Sequence, residues 1–270
     1  MMHVDLGLAR RLEGIEAHCG AEFVRARLRA RPGADAEAVA VAGDYACRLG
    51  GDSPMNDAKG LGLAGPVDEV ELEAMERVYF ARGARSRVVV CPLADRSLVD
   101  GLALRGYRLD GFEDVLCRAM GRPEGLPTAP PGIETAPVGP GEVALWARTL
   151  VGGFAAPADP DPGFLEIFEG SAGSSGLIGL LARVEGEPAG AASLMVRDGL
   201  ALLAGASTLP AFRHRGVQTA LCLARMALAS AAGCDLLMMA SAPGSGSRRN
   251  AERLGFRTAY TRPVLVRDPP

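Results

Sequence analysis

The sequence lacks the patterns that mark several common kinds of functional site. Its six cysteines form no CxxC pair, and its three histidines have no cysteine or carboxylate at ligand spacing, so a metal site is not expected. It contains no Walker phosphate loop. A GxSxG setting for a nucleophilic serine is also missing, which leaves a covalent acyl-enzyme route without support.

Long apolar runs and a strong excess of charge are absent as well. No stretch reaches the ~18 to 20 apolar residues that a membrane helix requires, and no apolar core with a cleavage site opens the chain. The net charge of −3 over 270 residues gives no general attraction to nucleic acid or anionic membrane. Cys91 and Cys222 lie in apolar periodic runs, as reduced core cysteines do. We therefore expect a cytoplasmic protein, monomeric or homodimeric, without a nucleic-acid or membrane partner.

The most informative feature that is present is the loop Arg213-His214-Arg215-Gly216-Val217-Gln218. An apolar run at 200–206 predicts a buried strand before it, and apolar residues at helical spacing predict a helix after it, ended by Gly233. Backbone N–H groups at the start of a helix have no intrahelical partner and attract anions. Gly216 allows close approach and the arginines add positive charge, so the loop predicts a phosphate-binding site.

This loop resembles the acyl-coenzyme A loop of the GNAT superfamily of N-acetyltransferases, whose pattern is Arg/Gln-x-x-Gly-x-Gly/Ala after the fourth strand. Arg213, Gly216 and the Thr208-x-Pro210 lead-in match that pattern, and Gln218 departs from it where the family has a small residue. The order of predicted elements over residues 131–267 also resembles the family. The predicted strands are 133–136, 177–185, 189–197, 200–206, 235–240 and 264–266, and the predicted helices are 142–150, the one after the loop, and a short one before Leu254-Gly255-Phe256.

A second segment strengthens the resemblance. Ser247-x-x-Asn250, followed by Leu254-Gly255-Phe256, is similar to the family segment in which an asparagine reaches the pantetheine arm of the coenzyme. The resemblance implies that acetyl-CoA is the cosubstrate and that no metal takes part. The residues that it assigns to acetyl-CoA are Ser207, Thr208, Leu209, Arg213, His214, Arg215, Gly216, Val217, Gln218, Thr219, Ser247 and Asn250.

The first half of the chain repeats the second half in weakened form. Gly106-Tyr107-Arg108 recurs as Gly255-Phe256-Arg257, and Arg118 recurs as Arg267, both 149 positions later (255 − 106 and 267 − 118). The repeat predicts a degenerate GNAT-like domain at 1–120, a proline-rich linker at 121–132 and a GNAT domain at 133–270. The expected fold class is mixed α/β: two tandem GNAT-like domains, each a mostly antiparallel twisted sheet with flanking helices.

The N-terminal counterpart of the phosphate loop is acidic. Gly65 to Glu71 carries carboxylates where an anion would sit and has no arginine. Acidic residues suit the first turn of a helix but repel a phosphate. We therefore expect only the C-terminal copy to bind coenzyme.

The resemblance implies direct acetyl transfer to an amine in a ternary complex, with backbone N–H groups polarising the thioester. Many members carry a tyrosine acid at the position of Ala251, and the usual strand glutamate is missing here too. Tyr260 is the nearest replacement for the acid, and Ser241 is a candidate to anchor a water. As a strand residue Tyr260 can equally be an amphipathic residue at the edge of the core.

Other polar residues leave alternatives open. Glu166 and Glu169 either hold a cationic amine or lie on a solvated helix face. His214 contacts phosphate, lies at the surface or takes part in catalysis. Arg248 and Arg249 either reach the nucleotide phosphate or solvate the start of a helix.

Three classes of function are consistent with these residues. The leading one is an N-acetyltransferase acting on a primary amine of a small molecule or protein. The second is a non-catalytic acetyl-CoA-binding regulatory module, which the missing tyrosine and glutamate favour. The third is a structural protein built from two degenerate copies, for which failure to bind coenzyme would be the sign.

Overall fold

We analysed a computed structural model of the chain, which describes residues 3–51, 53–121, 128–155 and 162–270. The predicted mixed α/β fold class is confirmed: helices flank mostly antiparallel strands. Among the described residues, no helix is both long enough and apolar enough to cross a membrane. All six cysteines are free and buried, as expected for core residues.

The chain divides into two compact units that exchange segments. Unit 1 comprises 1–115, 241–244 and 258–270, and unit 2 comprises 116–240 and 245–257. Each unit therefore includes residues from both predicted copies. The predicted domains 1–120 and 133–270 are each one continuous stretch of sequence. The units differ from them because residues 116–120 belong to unit 2, whereas residues 241–244 and 258–270 belong to unit 1. Of the predicted linker 121–132, residues 122–127 lie outside the described part of the chain.

In its described residues, unit 1 combines three helices with six strands. The strands follow the order β1-β2-β3-β4-β12-β5, and the β1–β2 and β2–β3 pairs are antiparallel. Val88, Leu72, Met75 and Leu98 belong to the apolar core. The elements are α1 (Leu6–Ala30), β1 (Glu37–Val41), β2 (Asp44–Arg48), β3 (Asp57–Lys59), α2 (Glu69–Phe80), β4 (Ser86–Val89), α3 (Arg96–Leu104), β5 (Arg108–Ala119, up to residue 115) and β12 (Arg257–Arg267, from residue 258).

Unit 1 also buries a cluster of charges. Arg262 on β12 is fully buried and contacts three carboxylates: Glu13 at 2.7 Å, Glu16 at 2.6 Å and Glu113 at 2.9 Å. Burial raises the pKa of Glu16, and the attraction of Arg262 opposes that rise. Removing the arginine would leave these carboxylates buried without their cation, so the cluster ties α1, β5 and β12 together.

Unit 2 carries the predicted phosphate loop. Its strands follow the order β11-β9-β8-β7-β6, with residues 116–119 of β5 before β11, and β10 pairs with β8. Two short 3-10 helices, Pro140–Glu142 and Pro210–Phe212, precede α4 and the loop. The remaining elements are β6 (Ile133–Pro137), α4 (Val143–Ala155), α5 (Pro162–Ser171), β7 (Leu177–Val184), β8 (Glu187–Arg197), β9 (Leu200–Leu202), β10 (Ala206–Thr208), α6 (Val217–Ala231), β11 (Leu236–Ser241, up to residue 240) and α7 (Gly246–Arg253).

The internal repeat recurs in the order of the elements. The series α2-β4-α3-β5 in the first half matches α6-β11-α7-β12 in the second. β5 begins at Arg108 and β12 at Arg257, which is the offset of 149 seen in the sequence (257 − 108). The two copies therefore repeat their helices and strands as well as their residues.

Candidate functional site

The predicted phosphate loop adopts a curled backbone just before α6. His214 has a φ of +63° and Gly216 a φ of +90°, so two residues of the loop are left-handed. A residue with a Cβ is strained at such angles, which explains the glycine at the second of them. Its missing side chain also gives room, because a Cβ at Gly216 would meet the ring of Pro130 at 3.0 Å.

The first turn of α6 is open to an anion. Gly216 is its N-cap and makes no side-chain capping bond. The N–H groups of Val217, Gln218 and Thr219 therefore receive no acceptor from the cap, and they lie at the positive end of the helix dipole. Val217 is buried, whereas Gln218 and Thr219 are partly exposed. The geometry fits a phosphate group held by the backbone.

Both arginines of the loop make contacts within the protein. Arg213 is exposed and donates to the carbonyl oxygens of Gly153 at 3.1 Å and Thr208 at 3.4 Å. The guanidinium of Arg215 lies 5.5 Å from the ring centre of Phe212, a cation–π contact. Arg213 thus ties the loop to the end of α4, and its charge remains close to the start of α6.

The predicted continuous strand 200–206 is instead interrupted, which sequence reasoning missed. Three residues, 203–205, face two residues, 193–194, because Leu202 pairs with Met195 and Ala206 pairs with Ala192. This one-residue excess is a β-bulge. Alternation along the sequence does not reveal it, since the excess is visible only once the partner strand is known.

The bulge separates β10 from β11. β9 pairs in parallel with β11 up to Met238, and the N–H of Leu203 donates to the Met238 carbonyl at 2.9 Å. Beyond the bulge, β10 pairs with β8. We call the gap between Ala206–Thr208 and residues 239–240 the splay. A ligand in the splay would meet strand edges that the ladder no longer covers.

The direction of the backbone groups in the splay follows from peptide geometry. The carbonyl of Gly205 accepts from Ser193 N at 2.9 Å, so the N–H of Ala206, in the same planar peptide, points the opposite way. The N–H of Leu209 donates to Ala189 O at 2.9 Å, so the carbonyl of Thr208 also points away from β8. The splay therefore presents backbone donors and acceptors.

The side chain of Ser207 contacts α4. Its hydroxyl is buried and donates to the carbonyl oxygens of Leu150 at 2.7 Å and Thr149 at 3.3 Å. A Cβ on Gly153 would lie 2.3 Å from that hydroxyl oxygen. The hydroxyl thus holds β10 against α4, and α4 approaches closely because position 153 is glycine.

The second predicted segment forms α7 in unit 2. Ser245 caps this helix by accepting from Arg248 N at 3.1 Å, and Ser247 and Asn250 follow in the first turns, both partly exposed. The side-chain oxygen of Asn250 accepts from Arg253 at 3.1 Å. Its amide nitrogen is the group left to meet a ligand carbonyl.

The candidate catalytic residues lie in unit 1, whereas the candidate coenzyme residues lie in unit 2. The hydroxyl of Tyr260 donates to Glu13 at 2.8 Å, and burial, then the charge of Glu13, raises its pKa. The hydroxyl oxygen of Ser241 is buried and has no partner among the described groups. Both roles stay predictions. Glu166 and Glu169 lie on α5 and are exposed, which is compatible with either alternative.

Sequence reasoning also overlooked Arg225. This residue lies on α6, four positions after Leu221, and is 1% exposed. A charged residue in the apolar stripe of a helix was the available signal. Among the described residues no group of three His, Cys, Asp or Glu side chains is placed to hold a metal ion.

Comparison with known proteins relates part of the chain to a family. Residues 145–256 match the model of the acetyltransferase (GNAT) family. A comparison with curated proteins finds no match.

Solved structures share the fold over most of the chain. A GCN5-related N-acetyltransferase from Kribbella flavida is 22% identical with a TM-score of 0.61, covering 95% of this chain and 96% of that one. A tandem GNAT protein from the clavulanic acid biosynthesis pathway is 17% identical with a TM-score of 0.61, covering 97% and 94%. A GCN5-related N-acetyltransferase from Sphaerobacter thermophilus is 17% identical with a TM-score of 0.56, and the match spans 74% of this chain and 65% of that one. The chain therefore has the fold of tandem GNAT proteins, and its residues 145–256 match the model of the GNAT acetyltransferase family.

Proposed function

We propose that this protein is an N-acetyltransferase that moves an acetyl group from acetyl-CoA to a primary amine of a small molecule or protein. One observation carries the proposal: α6 begins at a left-handed glycine that leaves its first N–H groups without a side-chain cap. The family and the fold are those of acetyltransferases.

The residues present fit acetyl-CoA. The amides of Val217, Gln218 and Thr219 would hold the pyrophosphate, and Arg213 and Arg215 lie next to them. The edges of Ala206 and Thr208 would bind the amides of the pantetheine arm, since these backbone groups point away from β8. The coenzyme supplies the activated acetyl group when bound.

The chain itself contributes mainly positioning. The N–H of Ala206 points into the splay, where it can donate to a thioester oxygen. We propose Asn250 and Ser247 as further contacts to the arm, Tyr260 as the proton donor and Ser241 as the anchor of a water. The acceptor must reach the site as a neutral amine, because a protonated amine has no lone pair with which to attack.

We propose further that the N-terminal copy, 1–120, binds no coenzyme. The start of α2 is occupied by its own carboxylates, since Asp68 and Glu71 form a capping box there. An anion would have to displace them against like charge. The copy at 133–270, joined through the linker 121–132, then holds the single coenzyme site.

Calorimetry with acetyl-CoA tests the proposal directly. We expect one molecule bound per chain, with binding weakened when Gly216 is replaced by aspartate. No binding, or binding that survives this change, would contradict it. An assay with a panel of primary amines then measures the release of free thiol from acetyl-CoA. Thiol release separates an enzyme from a non-catalytic acetyl-CoA-binding module.

The second candidate is a non-catalytic acetyl-CoA-binding module. It is favoured by the absence of a carboxylate from β10 and β11 and by the hydrogen bond that already engages Tyr260. Binding without thiol release in the presence of any amine would select it.

A further inference from the structure

Arg225 is a buried cation that, among the described residues, hydrogen-bonds only to uncharged atoms. One terminal nitrogen donates to the carbonyl oxygens of Ser193 at 3.3 Å and Ala204 at 3.2 Å. The other groups of the guanidinium donate to Leu221 O at 3.2 Å and Cys222 Sγ at 3.3 Å. Burying a charge without an opposite charge is unfavourable. A methionine here would avoid that cost, which indicates that the guanidinium has a specific role.

The two strand carbonyls bound by Arg225 belong to the bulge. Ser193 donates its own N–H to both Gly205 O at 2.9 Å and Ala204 O at 3.3 Å, so one amide is shared between two carbonyls. Ala204 O therefore has a long bond from the sheet and needs a second donor, which Arg225 provides. The guanidinium completes the hydrogen bonding that the extra residue disturbs.

The orientation of one peptide depends on this contact. The carbonyl of Ala204 faces Arg225, so the N–H of Gly205, in the same peptide, points the other way. Gly205 has a φ of +21° and is exposed. A glycine offers little steric resistance to rotation, so the peptide keeps its direction only while its carbonyl is held.

We propose that Arg225 is a positioning residue for acetyl transfer. By binding the carbonyls of Ser193 and Ala204 it fixes the bulge, and it thereby aims the N–H groups of Gly205 and Ala206 at the thioester oxygen. This inference rests on the proposed function, because it assigns a purpose to the same splay. Arg225 touches neither substrate nor coenzyme in this role.

Infrared spectroscopy of bound acetyl-CoA, labelled with carbon-13 at the thioester carbonyl, tests the proposal without an acceptor. In the wild type we expect the carbonyl band to move to lower frequency on binding, since two donors polarise it. Both Arg225→Met and Arg225→Lys should lose at least about half of that shift. Methionine has no donor, and lysine has one nitrogen on a shorter stem, so it lacks the planar fork that Leu221 O and Cys222 Sγ hold in place and that aims the third nitrogen at the two carbonyls. Affinity for coenzyme A, which has no thioester, should change less than about threefold.

Two results would overturn the proposal. A full shift in Arg225→Met would show that the bulge holds itself. A full shift in Arg225→Lys together with its loss in Arg225→Met would show that any cationic donor is enough and that the fork of the guanidinium does not fix the bulge. If the Arg225→Met variant does not fold, the carbonyl band shift of the Arg225→Lys variant is the test of the proposal. Met226→Ala, a buried change on the same helix, is the matched control for lost stability and should keep the shift.

Failure of the proposed function is a separate result. If calorimetry shows that the wild type does not bind acetyl-CoA, the function and this inference fall together. If it binds, the infrared comparison concerns Arg225 alone. Amide exchange in the free protein adds a readout without coenzyme: we expect Arg225→Lys to speed exchange at Ser193 and leave Leu203, bonded to Met238, unchanged. Unchanged exchange at Ser193 would contradict the proposal.

Discussion

Asp68 and Glu71 close the start of α2 with each other's backbone. Asp68 Oδ1 accepts from Glu71 N at 2.9 Å, and Glu71 Oε2 accepts from Asp68 N at 3.1 Å. The start of α6, at the corresponding place in the second copy, has Gly216 as its cap and no such bond. The same type of helix end is thus closed by carboxylates in one copy and left without a side-chain cap in the other, and this difference is the basis for proposing that an anion binds at α6.

At position 216, a negatively charged side chain should weaken coenzyme binding more than a neutral side chain of the same shape. Gly216→Asp and Gly216→Asn share the strain at φ +90° and the contact with Pro130, and they differ in charge. We expect the aspartate variant to bind acetyl-CoA about 30-fold more weakly than the asparagine variant, which corresponds to about 2 kcal/mol of repulsion. Titration calorimetry of both variants measures the difference.

The control for this experiment lies in the first copy. Asp68→Arg removes an acid from the start of α2, and we expect the affinity for acetyl-CoA to stay as in the wild type. Equal affinities of the Gly216→Asp and Gly216→Asn variants would show that no anion binds at α6. A change in affinity on replacing Asp68 would move the site to the N-terminal copy.

Two adjacent glycines of α4 should respond in opposite ways to alanine. At Gly153 the added Cβ would lie 2.3 Å from Ser207 Oγ and 3.1 Å from Thr208 N, whereas at Gly152 it would meet Leu209 at 3.4 Å. We expect Gly153→Ala to lower the free energy of unfolding by about 1–3 kcal/mol and to weaken acetyl-CoA binding, since β10 must move. Gly152→Ala should leave stability equal or raise it by up to about 1 kcal/mol, because alanine favours the helix.

Urea denaturation and calorimetry on the two alanine variants provide the measurement. The pair is matched in residue type, helix and chemical change. Equal stability of the two variants would mean that α4 and β10 are not packed as closely at Gly153 as the structure has them.

Much of unit 2 could be predicted from sequence, because local residue patterns indicate most of its helices and strands. Apolar spacing predicted α6 and the run at 236–240, and the resemblance supplied their order. The bulge at Gly205 could not be predicted, since it depends on one residue of difference between two strands that are paired only in the fold. Likewise, the alternation of β12 identifies a strand but does not identify its partner, so the exchange of residues 258–270 into unit 1 was not foreseen.

The predicted phosphate loop at 213–218 also shows what the sequence could and could not predict. The glycine at 216 was expected from the motif, and the structure gives it the left-handed conformation that only a glycine adopts readily. Which atoms Arg213 contacts was not accessible, because its partners, Gly153 and Thr208, lie on other elements. Sequence therefore found the loop, and the fold was needed to orient its side chains.

The carboxylate of Glu113 should make unit 1 sensitive to acid. Burial by itself would raise its pKa, but the charges of Lys59, Arg262 and Arg87 outweigh burial and lower the pKa from 4.5 to about 2. A group with a lowered pKa in the folded state adds stability above its unfolded value, and this stability disappears as the pH falls from about 4.5 to about 2. The full contribution near neutral pH is about 3 kcal/mol.

Replacing Glu113 tests both the direction and the size of its pH-dependent contribution to the free energy of unfolding. We expect the stability difference between wild type and Glu113→Gln to be largest above pH 5 and to shrink steadily towards about pH 2. Urea denaturation at a series of pH values gives the curve. Glu37→Gln, an exposed change on β1, should run parallel to the wild type. A difference that stays constant with pH would show that Glu113 is not held by its neighbouring cations.

Removal of one hydroxyl group should decide whether Tyr260 has a catalytic role. Its O–H donates to Glu13, and burial raises its pKa above that of an ordinary tyrosine, so the hydroxyl is protonated at neutral pH but is a weaker acid than a free tyrosine. We expect Tyr260→Phe to lower the turnover number by about 10² with little change in the KM for acetyl-CoA. Tyr107→Phe is the matched control, because it also loses a partly buried hydroxyl bond, to Ser86 at 2.7 Å. If both variants turn over like the wild type at every pH, Tyr260 serves only to hold α1 against β12, and the leaving thiolate takes its proton from another group.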